Sequence, residues 1–388
     1  QMANLAQVSV NCGCRAPEQW VMSGIGRSAL RGAMSPISFW RLPFAVTLTP
    51  LVVGTASTSG KSPPKGHLEP FGGWKPGTPI EERFDVPEPR EFYDQYCNSD
   101  GGHGKPFVMR NAAKQMGAMD WTSDDILLEK FGSERVEGVE YQLKETRAGG
   151  QVPNMNILSD FLKAYNSSDI YMVSVMSKKM RSEVKFLPCM RCGGYLKFLD
   201  VAHMWMGRGG SASVIHYDDQ DNINCLFSGR KRFVFMHPSY KGKFEAHPNS
   251  KKNKFGWVDT DQDRSIEGYG GFMGGVNASS MDLVKYPGWL NVDWSYVELG
   301  PGDCVYIPYQ WYHQVSAADT RSINIHVWYW RPKTFDAKSC ESERDLEPPA
   351  FAECTWGYEP NGGHLGVVAK GGKKPTKCKR KTAPKREL

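Results

Sequence analysis

From Tyr195 onward, short runs of alternating apolar and polar residues are separated by turn residues. The runs "YLKFLDVAHMWMG", "SASVIHYDD", "NINCLFSG" and "KRFVFMHP" follow one another closely, and "SYVELGPGDCVYIPYQWYHQVSA" and "RSINIHVWYW" resume the pattern downstream. Short strands spaced this way predict an all-β sandwich or barrel rather than a series of βαβ units. Two upstream segments have a helical design instead. "WTSDDILLEKFG" (121–132) has a Thr/Ser cap, early acids, one apolar face and a terminal Gly132. "NILSDFLKAYNSSD" repeats that design, with Ser159 as the expected cap and Phe161, Leu162 and Tyr165 facing the core. The expected fold is therefore mainly β, with flanking helices in the N-terminal half.

The remaining segments punctuate this body. Residues 57–90 are rich in Pro, Gly and Lys and are expected to be a linker or extended arm. Residues 240–296 form a long, polar, Gly-rich insertion of the kind that is functional or mobile, often a lid. The chain turns polar again over 336–388, which leaves 91–335 as the expected domain. No internal repeat is visible.

Composition supports a real core: 12 Trp, 16 Tyr and 18 Phe in 388 residues. The 40 Gly and 25 Pro suit a loop-rich β fold. The net charge of +6 is concentrated at 370–388, where nine Lys or Arg stand against one Glu, so the body is near neutral. A near-neutral body argues against a broad nucleic-acid-binding face, and no specific nucleic-acid binding is expected. The basic tail reads as a solvated segment or as a contact for an acidic partner.

From Met34 the chain reads "MSPISFWRLPFAVTLTPLVVGTASTSG". Arg41 makes a basic start, 42–54 is mostly apolar, and Gly54 and Ala56 suit a cleavage site. This pattern predicts a secretory signal peptide over 34–56, too short for a stable membrane span, with 1–33 outside the mature protein. A buried N-terminal strand is the alternative. Ten cysteines, eight without Cys12 and Cys14, fit a disulfide-permissive compartment. Asn166 and Asn277 meet the glycosylation sequon. The terminal "KREL" resembles an ER-retrieval signal, although Arg386 stands where an acid is usual. The expected location is the secretory pathway, with secretion or the ER lumen as the end point.

The chemistry sits in the strands. In "VIHYDDQDN" (214–222), His216 and Asp218 share one strand face, because residues i and i+2 point the same way. Strand "CVYIPYQWYHQVS" adds His313. Two histidines and one carboxylate are the facial set that holds non-haem Fe(II) and leaves positions open. Cys189 and Cys192 in "PCMRCGG" admit a zinc half-site or redox pair, with a local disulfide or two free thiols favoured. Cys225 and Cys304 are expected on buried strands. His203, His237, His247 and His364 have no partner pattern and read as structural or surface residues.

The ordered set of HxD, then "GRK" (229–231), then "PGDCVYIPYQWYH" (301–313) carries a resemblance. From about 105 to 331, including "GKPFVMRNAA" and "SDFLKAY", the chain resembles JmjC-type Fe(II)- and 2-oxoglutarate-dependent oxygenases of the hydroxylase, cupin-like branch. The resemblance implies a double-stranded β-helix (jelly roll). It also implies His216, Asp218 and His313 as iron ligands and catalytic centre, and Lys231 as partner of the distal carboxylate of 2-oxoglutarate. Ser213 stands where relatives often carry Thr, and Asn222 and His326 match residues lining the co-substrate pocket. Relatives carry Asn at the position of His326, so Asn324, on the same strand face, is the reserve candidate. Tyr217 and Trp205 are candidates for shaping the pocket. The implied activity is hydroxylation of a side chain (Asn, Asp, Lys, Arg or His) on a polypeptide in the secretory pathway. A catalytically idle cupin serving as a matrix or interaction protein is the alternative. Lysine demethylation, which shares the iron chemistry, is a third.

Overall fold

The two-residue turn joining Asp221–Ser228 to Lys231–Met236 makes the alternating pattern into a three-dimensional corner. The two strands belong to different sheets. Gly229 makes the turn at φ +86°, where a side chain would run into the Arg321 carbonyl. The computed structural model describes residues 62–141, 152–241, 276–342, 346–359 and 363–364. The regions 1–33 and 34–56, His247, Cys378 and the basic tail lie outside the described residues.

The strands, in chain order, are β1 (Thr78–Pro79), β2 (Glu81–Arg83), β3 (Phe107–Met109), β4 (Val139–Tyr141), β5 (Ile170–Val175) and β6 (Leu199–Gly207). They continue with β7 (Asp221–Ser228), β8 (Lys231–Met236), β9 (Ser295–Leu299), β10 (Cys304–Ile307), β11 (Tyr312–Ala317) and β12 (Ser322–Tyr329). An eight-stranded sheet has the order β2-β3-β10-β7-β12-β6-β5-β4, and a four-stranded sheet has β1-β9-β8-β11. All pairings are antiparallel except β1 with β9 and β2 with β3. Two mainly antiparallel sheets facing each other are the jelly roll that the strand pattern and the resemblance predict.

Period-2 alternation sorts the side chains. On β12, Ile323, Ile325, Val327 and Tyr329 join the largest core cluster, with Phe92, Trp121, Phe131, Phe161 and Tyr195 from the N-terminal segments. The intervening Ser322, Asn324, His326 and Trp328 face the other sheet. On β8, Phe233 and Phe235 point inward and pack with Val108, Leu226, Val297, Leu299, Val305 and Ile307. Val234 and Met236 point outward. One half of the interior is thus apolar and closed, and the other is polar.

The helices are α1 (Pro89–Glu91), α2 (Asp124–Phe131), α3 (Leu158–Ala164), α4 (Lys178–Glu183) and α5 (Ala337–Ser342). Helix α2 is capped by Ser123, whose side chain accepts from the Asp125 N–H at 3.2 Å. Helix α3 corrects the expected cap: Ile157 stands there, not Ser159, with no side-chain cap. The N–H groups of Leu158 and Ser159 donate instead to the carbonyls of Glu134 and Gly132 at 2.9 Å each. Backbone from the preceding segment does the capping, so no polar side chain is needed.

Three segments behave differently from their composition. Within the expected linker, Phe71, Trp74 and Ile80 are buried, and β1 and β2 pair with the sheets. Within the expected insertion, residues 276–294 bring Met281, Tyr286, Trp289 and Trp294 onto the same cluster as Phe71 and Trp74, outside the small sheet. Residues 242–275 lie outside the described residues. Beyond 335, Phe351 and Trp356 pack on Phe186 with ring centroids 4.4 and 5.6 Å away. In each case a few large apolar side chains outweigh the turn-forming residues around them. Among the described residues no helix is long and apolar enough to cross a membrane.

Two disulfides join pairs of described residues. Cys225 and Cys304 lie opposite each other on β7 and β10 and are bonded. Cys192 bonds Cys340, 148 residues away, and Cys189 is a buried free thiol. This corrects both favoured readings of the Cys189/Cys192 pair, because the partner of Cys192 is supplied by tertiary folding of α5.

Candidate metal centre

His216 and His313 sit directly opposite each other where the segment before β7 runs along β11. The His216 N–H donates to the His313 carbonyl at 3.0 Å, and the His313 N–H returns the bond at 2.6 Å. The same segment is held by the Ser213 N–H on the Val315 carbonyl at 2.8 Å and by the Val315 N–H on Ser213 Oγ at 2.9 Å. Ser213 therefore uses a lone pair to set the register, and its O–H proton remains available to donate.

Asp218 is fixed from the other side. The Gln310 N–H donates to the Asp218 carbonyl at 2.9 Å and the Tyr309 N–H to Asp221 Oδ1 at 2.8 Å, fastening the "PYQW" turn to the HxD turn. Gln310 takes a left-handed conformation there, φ +63°, which is costly for a residue with a side chain. The Trp328 indole N–H donates to Asp218 Oδ2 at 3.0 Å.

Together these contacts bring one ligand atom each from His216, Asp218 and His313 within 4.8 Å of one another. The tautomers are also set. Nδ1–H of His216 donates to the Val214 carbonyl and Nδ1–H of His313 to the Trp311 carbonyl, both at 2.9 Å. Each ring is left with an Nε2 lone pair for a metal. Burial, then the neighbouring His216, pushes His313 down to about 4, so this imidazole is neutral and ready to coordinate. Two imidazoles and a carboxylate, with no cysteine in the cluster among the described residues, fit Fe(II) and similar divalent ions.

Beyond the ligands the cavity wall turns polar. Lys231 is 4% exposed, and its Nζ donates to Tyr171 Oη at 3.2 Å and to Asn324 Oδ1. Burial lowers its pKa to about 7. Among the described residues no carboxylate pairs with it. A buried ammonium with only neutral partners is costly unless an anion joins it. Asn324 Nδ2, Asn222 Oδ1 and Trp205 Nε1 are buried with no hydrogen-bond partner among the described residues, which is what a wall built for a polar ligand presents.

His326, Asn222 and Trp205 all lie on this inner face, with Trp205 stacked on His326 at 4.9 Å. Tyr217 does not. It points to the opposite side, where it packs against Tyr312 in the outer cluster, as the i, i+1 alternation requires. His203 is half-buried beside Trp328, and His237 pairs with Asp100 at 2.6 Å. The residues that sequence reasoning missed are Trp328, Asn224 and Tyr171. Trp328 shares the strand face of Asn324 and His326, a signal that was present; Tyr171 comes from β5 and has none.

A model of the family described as "Cupin-like domain" matches residues 89–335. Among curated proteins, similar chains include Jumonji C domain-containing protein 5 of Drosophila melanogaster, 26% identical over 125 residues. That match covers 32% of this chain and 26% of the fly protein. The human bifunctional peptidase and (3S)-lysyl hydroxylase JMJD7 is 22% identical over 151 residues, 34% of this chain and 42% of that protein. The lysine-specific demethylase JMJ31 of Arabidopsis thaliana is 27% identical over 138 residues, 34% of this chain and 21% of that protein. The matches thus span less than half the length of each of these relatives.

Proposed function

The chain belongs to the cupin-like JmjC domain family, and on that premise we propose that it is an Fe(II)- and 2-oxoglutarate-dependent oxygenase that hydroxylates a protein side chain. The observation that carries this reading is the pairing of a preset His216–Asp218–His313 cluster with a buried Lys231 whose partners among the described residues are neutral. His216 and His313 would hold the metal through Nε2 and Asp218 through its carboxylate. When bound, Fe(II) with 2-oxoglutarate and dioxygen supplies an oxidant that converts C–H to C–OH, releasing succinate and carbon dioxide.

The remaining work belongs to the chain. Lys231, with the Tyr171 hydroxyl beside it, receives the distal carboxylate as a compact cation. Ser213 offers its O–H to the same group. Trp328 keeps Asp218 aimed by holding Oδ2. Phe233, Phe235 and their neighbours fill the rest of the interior, so water is excluded behind the co-substrate.

Residence in the secretory pathway is part of the proposal. The two disulfides support it, because such bonds persist in oxidising compartments. A polypeptide substrate is supported by the similarity to the human lysyl hydroxylase. The demethylase name of the Arabidopsis relative favours a second outcome on the same iron chemistry. Both are tested by incubating the purified chain aerobically with Fe(II), 2-oxoglutarate and candidate peptides. Succinate formation with one oxygen atom added to a peptide supports hydroxylation. Formaldehyde release from methyl-lysine peptides supports demethylation, and no 2-oxoglutarate turnover with any peptide contradicts both.

A further inference from the structure

The ring of His326 is held by two indoles and two amides. Trp205 and Trp328 both pack against it, with ring centroids 4.9 and 5.0 Å away and tilts of 29° and 27°. Its nitrogens meet two amides of the neighbouring strand: Nδ1 lies 3.0 Å from Asn222 Nδ2, and Nε2 lies 2.6 Å from Asn224 Nδ2. Burial, then the Lys231 cation, keeps the imidazole well below the usual histidine range, and therefore neutral.

A neutral imidazole has one N–H and one lone pair. It accepts from one amide and must donate to the other, so both amides cannot present nitrogen to it. Asn222 Oδ1 and Asn224 Oδ1 are meanwhile both buried without a hydrogen-bond partner among the described residues. A half-turn of one amide places its oxygen on the ring N–H and frees its NH2 group instead.

Asn222 is the amide for which this exchange has a consequence. It lies opposite Trp328, the residue that holds Asp218, and so stands at the metal end of the cavity. Beside an anion that chelates the metal, a carbonyl oxygen repels and an NH2 group donates.

We propose that His326 is a positioning residue: as the neutral Nδ1–H tautomer it donates to Asn222 Oδ1, accepts from Asn224 Nδ2, and thereby holds the Asn222 NH2 toward the anionic co-substrate. The identity of that anion rests on the oxygenase reading; the ring's fixed orientation rests on the two indoles. Both ring nitrogens are engaged by amides, so contact with the co-substrate falls to Asn222 rather than to His326.

Two measurements on the full chain test this. In metal-free protein carrying nitrogen-15 histidine, the His326 signals, assigned by their loss in His326→Asn, are expected to show a single proton on Nδ1. A proton on Nε2, or on both nitrogens, overturns the proposal. In zinc-loaded protein, N-oxalylglycine, an unreactive mimic of 2-oxoglutarate, is titrated by calorimetry. His326→Phe keeps the stack but loses both nitrogens, and binding is expected to weaken about tenfold or more, the effect of losing a charge-assisted hydrogen bond. Zinc affinity stays unchanged, which reports an intact fold. His326→Asn, whose amide can both donate and accept, is expected to stay within about threefold of wild type. Undiminished N-oxalylglycine binding by His326→Phe removes the proposal and leaves the oxygenase reading intact. If wild-type protein binds no N-oxalylglycine, both fall together.

Discussion

His216 and His313 exchange a reciprocal pair of backbone hydrogen bonds, at 3.0 and 2.6 Å, with their rings 4.3 Å apart between centroids. The main chain alone makes this pairing, so the spacing of two ligand positions does not depend on the imidazoles. His216→Ala is therefore expected to keep the metal-free melting temperature within a few degrees of wild type. Stabilisation by saturating zinc or manganese, which follows from selective binding to the folded state, should disappear in the variant. Thermal melts with and without metal check this, and undiminished stabilisation would count against His216 as a ligand.

Trp328 holds one oxygen of Asp218 and stacks on His326 at 5.0 Å. Trp328→Phe keeps a ring in the stack and removes the donor. Metal affinity is expected to fall about 10- to 100-fold, the usual cost of losing a hydrogen bond to a ligand. Competition with a chelator measures it, and an unchanged affinity would show that Asp218 is oriented by other contacts.

Lys231 gives a pH signature. Its pKa is about 7 in the folded protein against about 10.4 in an unfolded chain. Between those values the unfolded state binds more protons, so metal-free stability should rise with pH across that window. Below about 7 the buried charge is carried in full and destabilises the fold. Co-substrate binding needs the ammonium, so dicarboxylate affinity should fall as pH climbs above that value. Urea unfolding of wild type and Lys231→Met from neutral to alkaline pH checks the first statement. An identical pH slope in the two proteins contradicts it.

Asp221 is fully buried and forked to Arg331, with Nε to Oδ2 at 2.8 Å and Nη2 to Oδ1 at 2.7 Å. It also receives the Tyr309 N–H, which ties the pair to the metal-side turn. Asp221→Asn leaves the guanidinium without its anion and is expected to cost about 3–5 kcal/mol. Urea unfolding measures this, and a loss below about 1 kcal/mol would place the pair with surface bridges that contribute little.

The Cys192–Cys340 bond ties α5 to the turn before β6 and spans 148 residues. Cys340→Ser is expected to lower stability by about 2–5 kcal/mol while leaving divalent-metal affinity unchanged, because neither cysteine approaches the ligands. Loss of metal binding in this variant would link the C-terminal segment to the site.

The strands from β6 to β12 were legible because a sheet with one apolar face writes a period of two into the chain. The α2 helix was legible because Ser123 announces its own cap. Trp74, Trp289 and Trp294 were hidden, since Gly, Pro and polar neighbours dominate any local average while three indoles decide the packing. The α3 cap is not legible because its acceptors are carbonyls of residues 132 and 134, invisible to a rule about side chains. At the site, His216 and Asp218 are joined by i, i+2 spacing and His313 by its turn motif. The approach of Tyr171 to Lys231 depends instead on which strands become neighbours. The bond between Cys192 and Cys340 is likewise a product of the finished fold.

The most direct test is an anaerobic titration of Fe(II), followed by 2-oxoglutarate, into wild-type protein and His216→Ala, Asp218→Ala, His313→Ala and Lys231→Met. The expected result is a single high-affinity Fe(II) per wild-type chain, lost in the three ligand variants. In Lys231→Met, Fe(II) should bind normally and 2-oxoglutarate weakly. Equal Fe(II) binding in wild type and all three ligand variants, or no binding in wild type, would contradict a metal centre built from these three side chains.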